Sequence, residues 1–376
     1  MRLNFAAALI LGSAITGVAF AQADSTRWTR FIATTDSLRQ TYGVPAVSYA
    51  LIERARVVAA GGLGYADVAA RTPATDTTLY PIASLTKPIA AVALFQLVEA
   101  RKLDLDTRMS VILKDYRFNA RILGYAARCE NIAFLAGLDD PDVAPYRSLF
   151  EDYRCRTEPI TVRHHLTHMA QGVPGTAYRY NGFLYGMLAP VVEVASGKSF
   201  WSALREGILR PSGMDRTTFS PENGDSATAP VVALSYRRDS TGQAVPSTCQ
   251  DCGGLNAGSG LVSSTSDLAR FVIALSAGSL ISDSLRRVMI TPARTNAGAR
   301  SPYANGWFRQ DIEGMVVLWH YGYLPGGYSG LLIIIPDRNV ALILLGNSDG
   351  LSAEFDLGQG DVLRSPFARA FMTAVK

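Results

Sequence analysis

Ser84 and Lys87, in the run PIASLTKPIAAVALFQLVEA at residues 81–100, set a hydroxyl and an amine one helical turn apart. Residues three apart share a helix face, so the amine can lie against the hydroxyl and take its proton. That would make Ser84 an activated nucleophile with Lys87 as its base. Pro88 is tolerated only in a first turn, where its missing N–H breaks no helical bond. The helix is therefore expected to start close to Ser84, with its positive end toward the hydroxyl. The chain has five lysines, at 87, 102, 114, 198 and 376, and only Lys87 has a serine three residues before it. So short a pattern also arises by chance, and Ser84 as a plain helix cap is the competing reading.

Other chemistry-bearing clusters are weaker. His164 and His168 are spaced i, i+4 in a helix beginning at Thr161, as a zinc pair would be. His165 stands where a zinc hydrolase needs a glutamate, so capping or packing is expected of these histidines instead. Gly62-Leu63-Gly64 lacks the full glycine pattern and the following helix of a dinucleotide loop. Cys249 and Cys252 have no second CxxC partner and read as a loop staple; the expected pairing is Cys129 with Cys155 and Cys249 with Cys252.

These residues need elements to position them. The 376 residues are 48% hydrophobic and 18% charged, enough for a large core and against disorder. Residues 1–21 read as a signal peptide: Arg2, an apolar run over 5–20, and Ala19-Phe20-Ala21 before the cut. The mature chain, 22–376, is then exported, periplasmic or secreted, with no other membrane association. An even cysteine count suits an oxidising compartment. The formal charge of +4, with no basic run, argues against nucleic acid.

A helix is expected over 25–42, closed by Gly43, then a hairpin over 44–52 and 57–62. Residues 115–159 read as an inserted cover. A turn at 178–182 leads into a helix ending near Gly197, and Ser264 with Asp267 matches a capping box. Strands return at 305–309, 315–321, 330–335 and 340–346, followed by an amphipathic terminal helix. The expected class is α/β (α+β): an antiparallel sheet of N- and C-terminal strands, flanked by helices, with a mainly helical region inserted over about 84–290.

With Ser84-Leu-Thr-Lys87, HHLTHMAQGVP, the Tyr180 turn, GSGLVSSTSDLARF and Trp319-His-Tyr-Gly322 in one order, the chain resembles the serine β-lactamase and penicillin-binding protein superfamily, in its class C and DD-carboxypeptidase branch. The resemblance covers nearly all of the mature chain. It implies that Ser84 is acylated by substrate and Lys87 activates it. The family's second motif is Tyr-x-Asn; placing the Tyr at Tyr180 puts Asn181 in the middle and Gly182 where the Asn belongs. Asn181 substitutes after a backbone shift, or Tyr178 is the functional tyrosine. The third motif is His320-Tyr321-Gly322. The resemblance implies a catalytic His320, a Gly322 that lets substrate lie against an edge strand, and an oxyanion hole from the N–H groups of Ser84 and Tyr323.

The sequence thus points to an exported serine hydrolase acting on a small-molecule or peptide substrate without metal or organic cofactor. A β-lactam, a D-amino-acid peptide and a simple ester all remain open as substrates. A true β-lactamase or DD-carboxypeptidase, and a non-catalytic penicillin-binding sensor, are the competing readings.

Overall fold

The computed structural model describes residues 14–118, 124–126, 128–130, 147, 151–155, 158–219, 232–248 and 254–376. Most of the leader read over 1–21, much of the cover read over 115–159, and Cys249 with Cys252 lie outside the described residues. Among the described residues no helix is long and apolar enough to cross a membrane.

Helix α1 (Ala14–Thr41) ends at Gly43, whose φ of +61° suits a residue without a side chain. It starts earlier than the expected 25. The hairpin follows as β1 (Ala46–Glu53) and β2 (Arg56–Asp67), turning on Arg54 and Ala55, both at positive φ. A short β3 (Thr72–Pro73) completes this half of the sheet. The Gly62–Gly64 stretch lies within β2. A Cβ on Gly62 would stand 2.1 Å from the Ala74 carbonyl oxygen, so close chain approach accounts for that glycine.

The other half comes from the far end of the chain: β8 (Phe308–Ile312), β9 (Met315–Leu324), β10 (Tyr328–Ile335) and β11 (Val340–Gly346). Two minor antiparallel pairs precede them, β4 (Tyr80–Pro81) with β7 (Val262–Ser263) and β5 (Tyr236–Arg238) with β6 (Ala244–Pro246). The large sheet is antiparallel throughout, in the order β3-β2-β1-β11-β10-β9-β8. As expected, the first and last long strands meet, with Val47 opposite Gly346 and Glu53 opposite Val340.

Strand β8 begins three residues later than the pattern suggests. Gly306 at φ +90° and the Ala304 N–H to Trp307 carbonyl bond of 2.7 Å make a turn there instead. Every residue of β10 and β11 is buried, so both faces of these central strands are covered, and their sequences are correspondingly near-continuous in Leu, Ile and Val. Trp28 and Phe31 of α1 close on Phe371 of the terminal helix Pro366–Val375, with Trp28 stacked on it at 5.9 Å.

Between the halves lies the helical layer. Its centre is α2 (Thr86–Glu99), with eleven of its fourteen residues buried, Lys87 among them. An all-round apolar helix must be packed on all sides, and α2 is surrounded by the helices Leu188–Ser196, Phe200–Leu204 and Asp283–Met289. Cys129 and Cys155 form a disulfide, as read from the sequence.

Candidate active site

The chain reaches Ser84 through a strained turn. Ala83 holds φ +48°, a conformation that costs a β-carbon-bearing residue about 1–3 kcal/mol unless its surroundings enforce it. Here they do: the Ile82 N–H donates to the Leu261 carbonyl at 2.9 Å, and Gly322 of β9 comes so close that a Cβ there would lie 2.6 Å from the Ile82 carbonyl oxygen. A 3-10 turn, Ala83–Leu85, then lifts Ser84 onto the start of α2, with Pro88 in the first turn.

Lys87 Nζ stands 2.7 Å from Ser84 Oγ and 2.9 Å from the Gly258 carbonyl oxygen. Its side chain is fully buried, and that desolvation alone pulls its pKa from the usual 10.5 down to about 7. A neutral amine donates to the Gly258 carbonyl and turns its lone pair to the serine proton.

Two tyrosines were candidates beside this pair. Tyr178 donates its hydroxyl to the Gly358 carbonyl at 2.8 Å and is committed there. Tyr180 has its ring 5.1 Å from Lys87 Nζ, between His168 at 4.4 Å and Phe308 at 5.7 Å. Its hydroxyl interacts with those of Ser84 and Tyr321, which places a shielded donor at the reacting centre. Burial first, then Tyr321, hold its pKa well above the phenolic value, so it stays a proton donor at neutral pH.

The structure corrects two expectations. Asn181 does not face a substrate: its Oδ1 caps the helix Gly182–Gly186 by accepting from Leu184 N–H at 2.9 Å, and its Nδ2 donates to Gln171 at 3.1 Å. Position 182 is the one that looks at the lysine, since a Cβ there would be 3.6 Å from Lys87 Nζ. His320 is also removed from the chemistry. Its Nδ1–H donates to the Tyr321 carbonyl at 2.8 Å, which leaves Nε2 to accept from Tyr303 at 3.0 Å. Fully buried, with its pKa driven well down by desolvation and then by Lys87, it is a neutral support behind Tyr180 rather than a group touching substrate.

Gly322 makes room for the nucleophile's turn. Strand β8 ends opposite Trp319, so among the described residues no strand pairs with 320–324 of β9 on that side of the sheet. The histidines of this helix cap and pack, with His164 Nδ1 accepting from the Thr161 N–H and His168 Nδ1 from the Asn181 N–H, and among the described residues no group of three His, Cys, Asp or Glu side chains converges as a metal site would need. Ser264 caps the helix Thr265–Ser276, while the Asp267 carboxylate turns to Arg216 N–H and Thr217 instead of completing the box.

Ser84, Lys87, Gly182, Gly258 and Tyr323 line one cavity of about 590 Å³. Arg128, Glu193 and Asn256 also line it, and sequence reasoning missed all three. Gly258 packs against the backbone at 182: a Cβ on it would collide with the Gly182 carbonyl oxygen at 2.5 Å, so its lack of a side chain lets the loop that carries it close over the lysine. Asn256 holds that loop by accepting from the Gly258 N–H at 2.8 Å. The glycine-rich GSG was the signal available for this; nothing local marks Arg128 beyond its place next to Cys129.

A seven-stranded antiparallel sheet flanked by helices, with a serine and a buried lysine at the start of its central helix, defines the fold of serine acyl-transfer proteins. The beta-lactamase family model matches residues 31–361, and the chain belongs to that family. Among curated proteins, it is 26% identical over 306 residues to penicillin-binding protein 4* of Bacillus subtilis (strain 168), covering 76% of this chain and 64% of that one. It is 24% identical over 314 residues to protein flp of Staphylococcus aureus (strain MW2), covering 81% of this chain but only 60% of flp. Two solved structures share the fold. The octameric penicillin-binding protein homologue from Pyrococcus abyssi has a TM-score of 0.67 and 24% identity, over 92% of this chain and 77% of the other. D-amino acid amidase from Ochrobactrum anthropi SV3 has a TM-score of 0.63 and 22% identity, over 95% and 99%.

Proposed function

We propose that the protein is an exported serine hydrolase that cleaves an ester or amide through a Ser84 acyl-enzyme. The observation that carries this is the 2.7 Å contact between Ser84 Oγ and a Lys87 amine whose burial lowers its pKa to about 7. Lys87 takes the serine proton as Oγ attacks the substrate carbonyl. The Tyr180 phenol passes its proton to the leaving group and takes in exchange the proton held by Lys87, which leaves the amine neutral again. Water then attacks the acyl-enzyme, giving a proton to neutral Lys87, and Ser84 Oγ receives that proton as the acid departs. The backbone N–H groups of Ser84 and Tyr323 are assigned to the developing oxyanion.

With glycine at 182, no amide side chain stands there to grip a β-lactam or peptide, which favours simpler esters and amides. A β-lactamase or DD-carboxypeptidase activity is the second reading. The stretch 320–324 of β9, which no described strand covers beyond the end of β8, favours it, since an extended substrate can pair there at Tyr323 while the Tyr321 carbonyl is held by His320.

Intact mass of the wild-type and Ser84→Ala proteins, followed over time with a penicillin and with a short-chain nitrophenyl ester, separates these readings. Ester turnover that needs Ser84, with penicillin inert, is the expected result. Rapid penicillin loss without an adduct indicates a β-lactamase. A lasting, Ser84-dependent penicilloyl adduct indicates a penicillin-binding peptidase or sensor. Full turnover by Ser84→Ala overturns the mechanism.

A further inference from the structure

The cavity that holds Ser84 also holds a cation that acyl transfer does not use. Arg128 is half-buried, with its guanidinium 5.8 Å from the ring centre of Phe118 and 5.7 Å from that of Phe183. No acidic side chain among the described residues pairs with it. Glu193, a carboxylate lining the same cavity, is occupied: it accepts from the Tyr116 hydroxyl at 2.6 Å and from the Phe200 N–H at 2.9 Å. Two aromatic faces orient a guanidinium without neutralising it, and its planar donors match a carboxylate with two parallel hydrogen bonds.

Its place is fixed from both sides. The next residue, Cys129, is tied to Cys155, and the Arg128 N–H donates to the Gly124 carbonyl at 2.9 Å. Phe183 directly follows Gly182, the residue facing Lys87 Nζ, and both line the cavity that Arg128 shares with Ser84 and Lys87.

We infer that Arg128 is a specificity residue that selects substrates carrying a carboxylate on the portion held in this cavity. The reaction on such substrates rests on the Ser84 reading above; the recognition does not. The test is therefore an affinity measurement. N-benzylsuccinamic acid and the neutral N-benzylacetamide are titrated calorimetrically into Ser84→Ala protein, with and without Arg128→Gln or Arg128→Lys.

One charge-assisted pair predicts that the acid binds at least about tenfold more tightly than the neutral amide. Arg128→Gln should remove that gap while shifting the neutral amide's affinity less than about twofold, and Arg128→Lys, which keeps charge but loses the fork, should fall between. Equal affinities in the parent, including no measurable binding of either, overturn the inference, as does a gap that survives Arg128→Gln. Nitrophenyl acetate turnover by Ser84→Ala is read in parallel: if it persists, the Ser84 mechanism falls while the affinity comparison still decides the role of Arg128.

Discussion

Lys87 is kept neutral, and so free to accept a proton, by what surrounds it rather than by a partner charge, and that has a kinetic signature. With its pKa lowered to about 7 by desolvation, the amine is free to accept the Ser84 proton only above that pH. The acylation rate constant should therefore rise with pH through a midpoint near 7 and level off. Lys87→Ala should lose about 10² to 10⁴ in that rate constant, with the pH limb gone and the fold kept by circular dichroism. At 182, Gly182→Asn places an amide toward the lysine in open space, and penicillin acylation followed by mass should become faster than in the wild type. Ser84 and Lys87 were legible because their relation is local, three residues along one helix. Asn181 and His320 were misplaced because motif position does not reveal direction: only the fold shows that one side chain caps its own helix and the other points into the aromatic layer.

Among the elements, β9 and the turn before α2 form one mechanical unit. A methyl group at 322 would be forced against the Ile82 carbonyl, and Ala83 is already at positive φ. Gly322→Ala should cost about 1–3 kcal/mol of stability by denaturant titration. It should also cut ester turnover far more than such a loss explains, because the strain falls on the nucleophile's own turn. Turnover that simply tracks stability would show the contact to be packing alone. The runs forming β1, β10 and β11 were readable because burial leaves apolar residues in unbroken order. The close approach of Gly258 to Gly182 was not, because the two lie 76 positions apart and neither carries a side chain that would advertise the contact.

For the molecule as a whole, buried ionisable groups set how stability follows pH. His165 is lowered to about 4 by burial, and His168 and His320 are driven well below their usual value by burial and then by the Lys87 charge. Each depressed histidine binds its proton more readily in the unfolded chain. Its full contribution is present above about pH 6.5 and is lost as pH falls through the folded value, at up to about 1.4 kcal/mol per pH unit. Lys87 adds the same sign between about 7 and 10.5. Tyr178, Tyr180 and Tyr303, raised by burial, act oppositely above about pH 10. Urea titrations should therefore show stability climbing from acid to a maximum near pH 9–10, and Lys87→Met should flatten the rise above 7. A stability maximum near pH 5 would contradict the neutral, buried assignment of these side chains.

The meeting of β1 with β11 has a consequence in time. The two strands are separated by nearly the whole chain, so the sheet closes only through a contact of very high sequence separation, and such closures are slow. The turn bearing Ser84 leans on β9, which pairs with β10 and through it with β11. A nascent chain therefore has no working nucleophile until its last strands have been made and docked. Pulse-labelled synthesis intermediates ending before residue 340 should be open to protease and inert toward an acylating probe, whereas the finished chain acquires both resistance and reactivity together.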